Sequence, residues 1–86
     1  MQQISDYSRG MTAAVKAELA RRDLTGADLP ALIQTSRTTA YSRLNYERPF
    51  EMGELERFCD AIGISMQVLI ASANLAPVVR AKAVAA

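Results

Sequence analysis

Hydroxyl and arginine side chains are concentrated between residues 36 and 45, a segment that contains no carboxylate. In a helix, which turns by about 100° per residue, one outward surface of this segment would carry Arg37, Thr38, Tyr41, Ser42 and Arg43. Arginine can bind guanine through two hydrogen bonds, and serine and threonine can bond to several bases. The pattern therefore favours contact with the base edges of a nucleic acid, and the alternative is a solvated helix face.

The residue types on which most enzymes depend are scarce. The chain has no histidine and one cysteine, Cys59, which removes histidine-based nucleophile pairs, an internal disulfide and most zinc sites. We interpret Cys59 as a small core residue. Four carboxylates lie on or beside the same predicted helix, several near its start where they favour the helix dipole, and are expected to be solvated: Glu51, Glu54, Glu56 and Asp60. The sequence predicts no catalytic site, no metal and no cofactor.

Length and composition indicate one small domain. The 86 residues are 50% apolar and 22% charged, which is typical of a globular rather than a disordered chain. The net charge is +1, with basic residues in excess over 34–50 and acidic residues in excess over 51–62. No apolar run approaches the roughly 18 residues that span a bilayer, and the first residues lack the pattern of a signal peptide. We therefore expect a cytoplasmic protein that does not enter the membrane.

Apolar periodicity is helical nearly throughout and predicts an all-α fold. Five helices are expected, from Ser5 or Ser8 to Arg22, from Gly26 or Asp28 to Ile33, from Arg37 to Leu44, from Met52 to Ile62, and from Met66 to Ser72. Helix 2 has two candidate N-caps: Thr25 paired with Asp28, which is slightly favoured, or Asp28 itself with Pro30 in the first turn. Residues 1–73 form the predicted domain. The alanine-rich residues 74–86 fit either a short sixth helix or a tail.

Helices 2 and 3 are joined by a turn of three to four residues, which is a helix-turn-helix arrangement. We expect Leu29, Leu32 and Ile33 of helix 2 to pack across helix 3. Helix 3 presents Ala40 and Leu44 to them, one helical turn apart, so its polar residues face outward. The expected caps are Ser36 at the start of helix 3, Gly63 at the end of helix 4 and Ser65 at the start of helix 5.

A longer pattern combines Ser36–Asn45 with Arg48–Phe50, Glu54-Leu55 and the segment 61–70. With these stretches, residues 11–72 resemble the lambda-repressor/Cro-like helix-turn-helix family. That family is a compact five-helix DNA-binding domain found in phage repressors, bacterial regulators and antitoxins. The resemblance implies that helix 3 enters the major groove with its N-terminal residues at the bases. The implied base-reading residues are Arg37, Thr38 and Ser42, with Tyr41 and Arg43 flanking them.

The same resemblance implies phosphate contacts at the start of helix 2 and around helix 3. Backbone N–H groups at a helix N-terminus suit an anion for independent physical reasons. Phosphate contacts of this kind set position and affinity, whereas base contacts set sequence choice. The implied phosphate-binding residues are Thr25, Gly26, Ala27, Ser36, Asn45 and Arg48.

Three positions differ from the usual family pattern: Pro30, Gln34 and Tyr46. Gln34 stands where the turn between helices 2 and 3 usually takes glycine, so its φ angle is expected to be positive. Tyr46 replaces the glycine commonly seen after the asparagine. The turn before helix 3 and the loop after it are therefore the places where this chain should depart from the family geometry.

The function that these observations predict is that of a sequence-specific DNA-binding transcription regulator of phage-repressor or Cro-like type, associated with the bacterial nucleoid. The region from helix 5 onward has more apolar residues than one short helix buries: Ile64, Met66, Leu69, Ile70, Leu75, Val78 and Val79. An exposed remainder favours a homodimer on a near-palindromic operator with half-sites about one DNA turn apart. The alternative is a helical protein-interaction module of antitoxin or antirepressor type, which Pro30, Gln34 and the low net charge favour slightly.

Overall fold

The computed structural model describes residues 5–73, and within that range it contains five helices and no strand. The helices are α1 (Asp6–Arg21), α2 (Leu29–Ile33), α3 (Arg37–Leu44), α4 (Met52–Ile62) and α5, which is helical from 66 to 73. A 3₁₀ turn, Gly26–Asp28, precedes α2. The predicted all-α fold of five helices is thus confirmed. The sixth helix or tail proposed for 74–86 lies outside the described residues.

The two candidate starts of helix 2 are both used, one for each of two consecutive elements. Thr25 begins the 3₁₀ turn: its N–H donates to Asp28 Oδ2 at 2.8 Å, and the Asp28 N–H donates back to the Thr25 carbonyl at 3.0 Å. The α-helix itself begins at Leu29 with Pro30 in its first turn, where the missing proline N–H leaves no bond unmade. The favoured Thr25 cap is therefore found at the 3₁₀ turn, whereas α2 itself has Asp28 as its N-cap, so for the α-helix the favoured alternative is wrong.

The remaining helix ends follow local capping chemistry. Ser36 Oγ accepts the Thr39 N–H at 3.1 Å at the start of α3, and Ser65 Oγ accepts the Val68 N–H at 3.2 Å at the start of α5. Gly63 ends α4 in the left-handed region with φ 75°. The predicted bounds of α3 and α4 are confirmed, while α1 ends at Arg21, one residue earlier than predicted.

A single apolar core is built from all five helices. Its largest fully buried side chains are Phe58, Leu29, Ile33, Leu69 and Val15. Ala40 and Leu44 face this core from α3, as predicted, and Leu32 and Phe50 pack against its edge. Cys59 is buried, and burial raises the pKa of its thiol, as do the nearby charges of Asp60 and Glu18. Helix α2 packs against α4, and α3 packs against α2, the 3₁₀ turn and α1, so the opposite side of α3 is left at the surface.

Gln34 adopts the left-handed conformation that its position predicted, with φ 56° and ψ 52°. A side chain with a Cβ pays roughly 1–2 kcal/mol there, whereas glycine does not. We expect Gln34→Gly to raise the free energy of unfolding by up to about 1 kcal/mol, because relief of the backbone strain exceeds the added entropy of the unfolded chain. Urea unfolding measures the change. Gln34→Ala, which keeps the Cβ, is the matched control, and a glycine variant less stable than that control would contradict the argument.

Candidate nucleic-acid interface

The first turn of α3 presents the most accessible polar surface among the predicted base-reading residues. Arg37 and Thr38 are both exposed, and Arg37 forms no ion pair with any other residue of 5–73. The turn is held in place because Ser36 caps it and Ala40 is fully buried beneath it. Arg37 and Thr38 are thus brought together at the outer end of a fixed helix, where their donors and acceptors are free to meet a partner.

Ser42 lies one turn further along α3 and is half-buried. Its hydroxyl donates to the Thr39 carbonyl at 2.8 Å, so in this rotamer only the oxygen lone pairs remain for a partner. The Ser42 carbonyl accepts the N–H groups of Glu47 and Arg48 at 3.0 and 3.2 Å. Ser42 therefore also orders the loop that follows α3, which the sequence analysis did not predict.

Tyr41 leans from α3 toward the start of helix 2. The ring is half-buried against the core, and a Cβ atom placed on Gly26 would lie 3.4 Å from Tyr41 Cε1 and 3.0 Å from Leu44 Cδ1. Glycine at position 26 thus permits a close approach of the 3₁₀ turn to α3. Tyr41 joins these two elements, and its ring is not a free flank of the outward face.

The structure corrects two predictions at once, those for Arg43 and Glu54. Arg43 Nε and Nη2 donate to the two carboxylate oxygens of Glu54 at 2.9 and 3.2 Å, and the two side chains are only 11% and 5% exposed. The prediction that Arg43 flanks the outward face is wrong, and so is the prediction that Glu54 is solvated. Both side chains border the buried stripes of their helices, where opposite charges can pair away from water.

The charge state of Glu54 follows from these contacts. Burial by itself raises the pKa of Glu54, but the hydrogen bonds from Arg43 and from the Glu51 N–H, together with the charges of Arg43 and Arg57, outweigh it and leave the pKa lowered. The carboxylate is ionised at neutral pH and both of its oxygens are used. Oε1 also accepts the Glu51 N–H at 2.9 Å, which caps α4.

The loop after α3 contains two of the predicted phosphate contacts, Asn45 and Arg48, and both are exposed. Between them, Tyr46 has φ 62° and lies beneath two cations of α1, with Lys16 Nζ 4.6 Å and Arg9 Cζ 5.5 Å from the ring centroid. A positive φ is a conformation that glycine adopts without steric cost and that other residues adopt uncommonly. The cation–π contacts attach the loop to α1, an anchor that sequence reasoning missed.

The other predicted phosphate contacts lie at the start of helices 2 and 3. Thr25, Ala27 and Ser36 are exposed and Gly26 is half-buried. The Thr25 N–H is already bonded to the Asp28 carboxylate. That carboxylate brings a negative charge to this end, whereas in the loop the charge of Glu47 is accompanied by the exposed guanidinium of Arg48. Of the two predicted phosphate-contact regions, the loop is therefore the more favourable for an anion.

Arg57 is a further residue that the sequence analysis did not single out. Its Nε donates to the Ile33 carbonyl, the last residue of α2, at 2.7 Å. The signal available in the sequence was spacing, since Arg57 follows Glu54 by three residues and so lies on the same side of α4. Two charged residues on one face of α4 thus contact the two preceding helices.

Comparison with protein-family models, curated proteins and solved structures finds no match for this chain. Within residues 5–73, no three His, Cys, Asp or Glu side chains are grouped so that they could hold a metal ion. In the same range no helix combines the length and apolar character that a membrane crossing requires.

Proposed function

We propose that this protein is a sequence-specific DNA-binding transcription regulator whose α2, turn and α3 act as a helix-turn-helix. The observation that carries the proposal is the outward surface of α3, where Arg37 and Thr38 are exposed at the first turn of a helix fixed from behind. In a major groove, residues at the N-terminal end of such a helix reach the base edges. Ser42 offers an acceptor one turn further along, and neither phosphate nor base would meet a carboxylate on this surface.

Arg48 supports the same proposal from the adjacent loop. It is exposed, and its backbone N–H is tied to the Ser42 carbonyl, so the loop has a defined position relative to α3. In the proposed complex Arg48 pairs with phosphate and adds affinity without sequence choice. Because Arg43 is paired with Glu54, few cations remain free on the surface formed by α3 and the following loop. We therefore expect weak binding to random duplex with a shallow dependence on salt.

We further propose that two copies bind a near-palindromic operator, since a two-fold dimer reads a two-fold site. Of the apolar residues from which the dimer was predicted, Leu69 is fully buried and Ile64, Met66 and Ile70 pack against the core, while Leu75, Val78 and Val79 lie outside the described residues. On α5 the exposed apolar side chain offered for a contact between copies is instead Val68, at 53%. Sedimentation with and without DNA measures this directly. A monomer at high micromolar concentration under both conditions would contradict the dimer.

The second candidate is a helical module that binds protein rather than DNA. The observation favouring it is the withdrawal of Arg43 into a buried ion pair, which leaves Arg37 as the basic residue on the outward side of α3. Selection of duplexes from a random pool, run beside a salt titration on random duplex, separates the two functions. An enriched motif supports the regulator. No enrichment, with negligible binding at low salt, supports the protein-binding module.

Arg48→Ala should weaken binding to selected and random duplexes by the same factor and reduce the slope of log K against log salt by about 1, because one phosphate contact is lost. Fluorescence anisotropy at several salt concentrations measures both quantities. The neighbouring exposed residue provides the matched control: Glu47→Gln removes a negative charge from the same loop and should strengthen binding slightly. A changed sequence preference in the Arg48 variant would contradict its assignment to phosphate.

A further inference from the structure

Helix α4 holds both helices of the α2–α3 pair through two charged side chains one turn apart. Arg57 donates to the Ile33 carbonyl at the end of α2 at 2.7 Å. Glu54 accepts two hydrogen bonds from Arg43, the penultimate residue of α3, at 2.9 and 3.2 Å. One face of α4 is therefore hydrogen-bonded to both α2 and α3.

The Glu54 carboxylate is held in one position by a hydrogen bond within α4. Its Oε1 accepts the N–H of Glu51, the residue that caps α4, at 2.9 Å. The side chain is 5% exposed, so water does not compete effectively for its oxygens. A planar guanidinium bonded to both oxygens of a fixed carboxylate leaves α3 little freedom to rotate, which a lysine at the same position could not achieve.

Gly53 lies beside the guanidinium of Arg57. A Cβ atom at that position would lie 3.3 Å from Arg57 Nη1, so the end of the arginine side chain would have to shift by a few tenths of an ångström. The first turn of α4 thus combines a glycine next to Arg57 with the carboxylate that receives Arg43. The charge of Arg57 also favours the ionised form of that carboxylate.

A change in the orientation of α3 around its C-terminal end displaces its N-terminal turn the most. Arg43 lies near the C-terminal end of the helix and Arg37 at its start. An eight-residue helix is about 12 Å long, so a tilt of about 10° around its C-terminal end would move the first turn by about 2 Å. Hydrogen bonds to base edges do not survive such a displacement, whereas contacts from long, flexible side chains to phosphate tolerate it.

We propose that Arg43 and Glu54 are positioning residues that fix the orientation of α3 and thereby determine sequence discrimination, without contacting DNA themselves. This inference rests on the proposed function. Discrimination between DNA sequences would then depend on a buried ion pair between α3 and α4 as well as on the exposed residues that touch the bases. Arg57 adds a hydrogen bond that holds α2 against the same face of α4.

The test compares Arg43→Lys and Glu54→Gln with the wild-type protein. The measured quantity is the ratio of affinities for the selected duplex and a random duplex, taken below the unfolding temperature of each variant. Each substitution should lower this ratio at least tenfold while affinity for random duplex stays within twofold. The double variant should lose no more than either single variant, because both remove the same interaction. Glu56→Gln, at an exposed position on α4, is the control of equal charge change and should leave the ratio unaltered.

Suppose instead that Arg43 leaves Glu54 in the complex and contacts a base. Glu54→Gln would then release Arg43, and the ratio of affinities for selected and random duplex would stay constant or rise. That result overturns the inference. If Arg43→Lys fails to fold, Glu54→Gln decides alone, since its amide oxygen can still cap the Glu51 N–H. If the wild-type protein itself enriches no sequence, the proposed function fails and the inference fails with it. An enriched wild-type motif with an unchanged ratio in Glu54→Gln overturns the inference alone.

Discussion

Replacing Phe58 by alanine should lower the free energy of unfolding by about 3–5 kcal/mol, the usual cost of deleting a buried phenylalanine side chain. Phe58 is the largest fully buried side chain, and it lies on the helix that supports both α2 and α3. The total stability of a small domain is only about 5–15 kcal/mol, so this one change removes a large share of it. Denaturant unfolding followed by circular dichroism at 222 nm measures the loss.

Phe50 provides the matched control for that experiment. It packs against the edge of the same core but is only half-buried, so Phe50→Ala should cost clearly less than Phe58→Ala. Equal losses at the two positions, or a loss below about 1 kcal/mol at Phe58, would contradict the described core.

Arg37→Ala should reduce affinity for the selected duplex by about 1–3 kcal/mol, roughly five- to more than a hundredfold, and relax the preference at one base position. The physical reason is the loss of a guanidinium that can bond to two guanine acceptors at once. Repeating the duplex selection with the variant and titrating selected and random duplexes gives both results.

Arg37→Lys separates shape from charge at the same site. It keeps the positive charge but lacks the planar fork of the guanidinium, so it should retain affinity for random duplex while relaxing the same base position. If both Arg37 variants enriched the wild-type motif and weakened every duplex by the same factor, Arg37 would be a phosphate contact, and the assignment of base reading to it would fail.

Local chemistry made much of the fold predictable. The bounds of α3 and α4 follow from Ser36, from apolar spacing and from Gly63, each of which acts within one helical turn. The positive φ of Gln34 was expected because the resemblance places it at a turn position that usually takes glycine. Signals of this kind need no knowledge of distant parts of the chain.

The pairing of Arg43 with Glu54 could not be obtained in this way, because the two residues are eleven positions apart and lie on different helices. A helical projection placed Arg43 beside the outward face, and the dipole argument gave Glu54 a reason to be solvated. Both residues also immediately flank buried leucines, Leu44 and Leu55. Opposite charges bordering the buried stripes of successive helices were the available clue, but only the tertiary structure shows that Arg43 and Glu54 meet.

The cations above Tyr46 were hidden for the same reason. Arg9 and Lys16 lie on α1, thirty or more residues before Tyr46, and nothing in the local sequence links them to it. The sequence could indicate that position 46 needs an unusual backbone conformation, whereas the contacts that hold a tyrosine there depend on tertiary structure.

The most direct test of the proposed function is a titration of the ¹⁵N-labelled protein with the selected duplex, followed through its amide resonances. If α3 enters the major groove, the largest shifts should fall on residues 36–39 at the first turn of α3 and on 45–48 in the following loop. Smaller shifts should occur at residues 25–27, and random duplex should perturb 45–48 more than 36–39. Shifts confined to other parts of the chain, or none at saturating duplex, would contradict DNA recognition by α3.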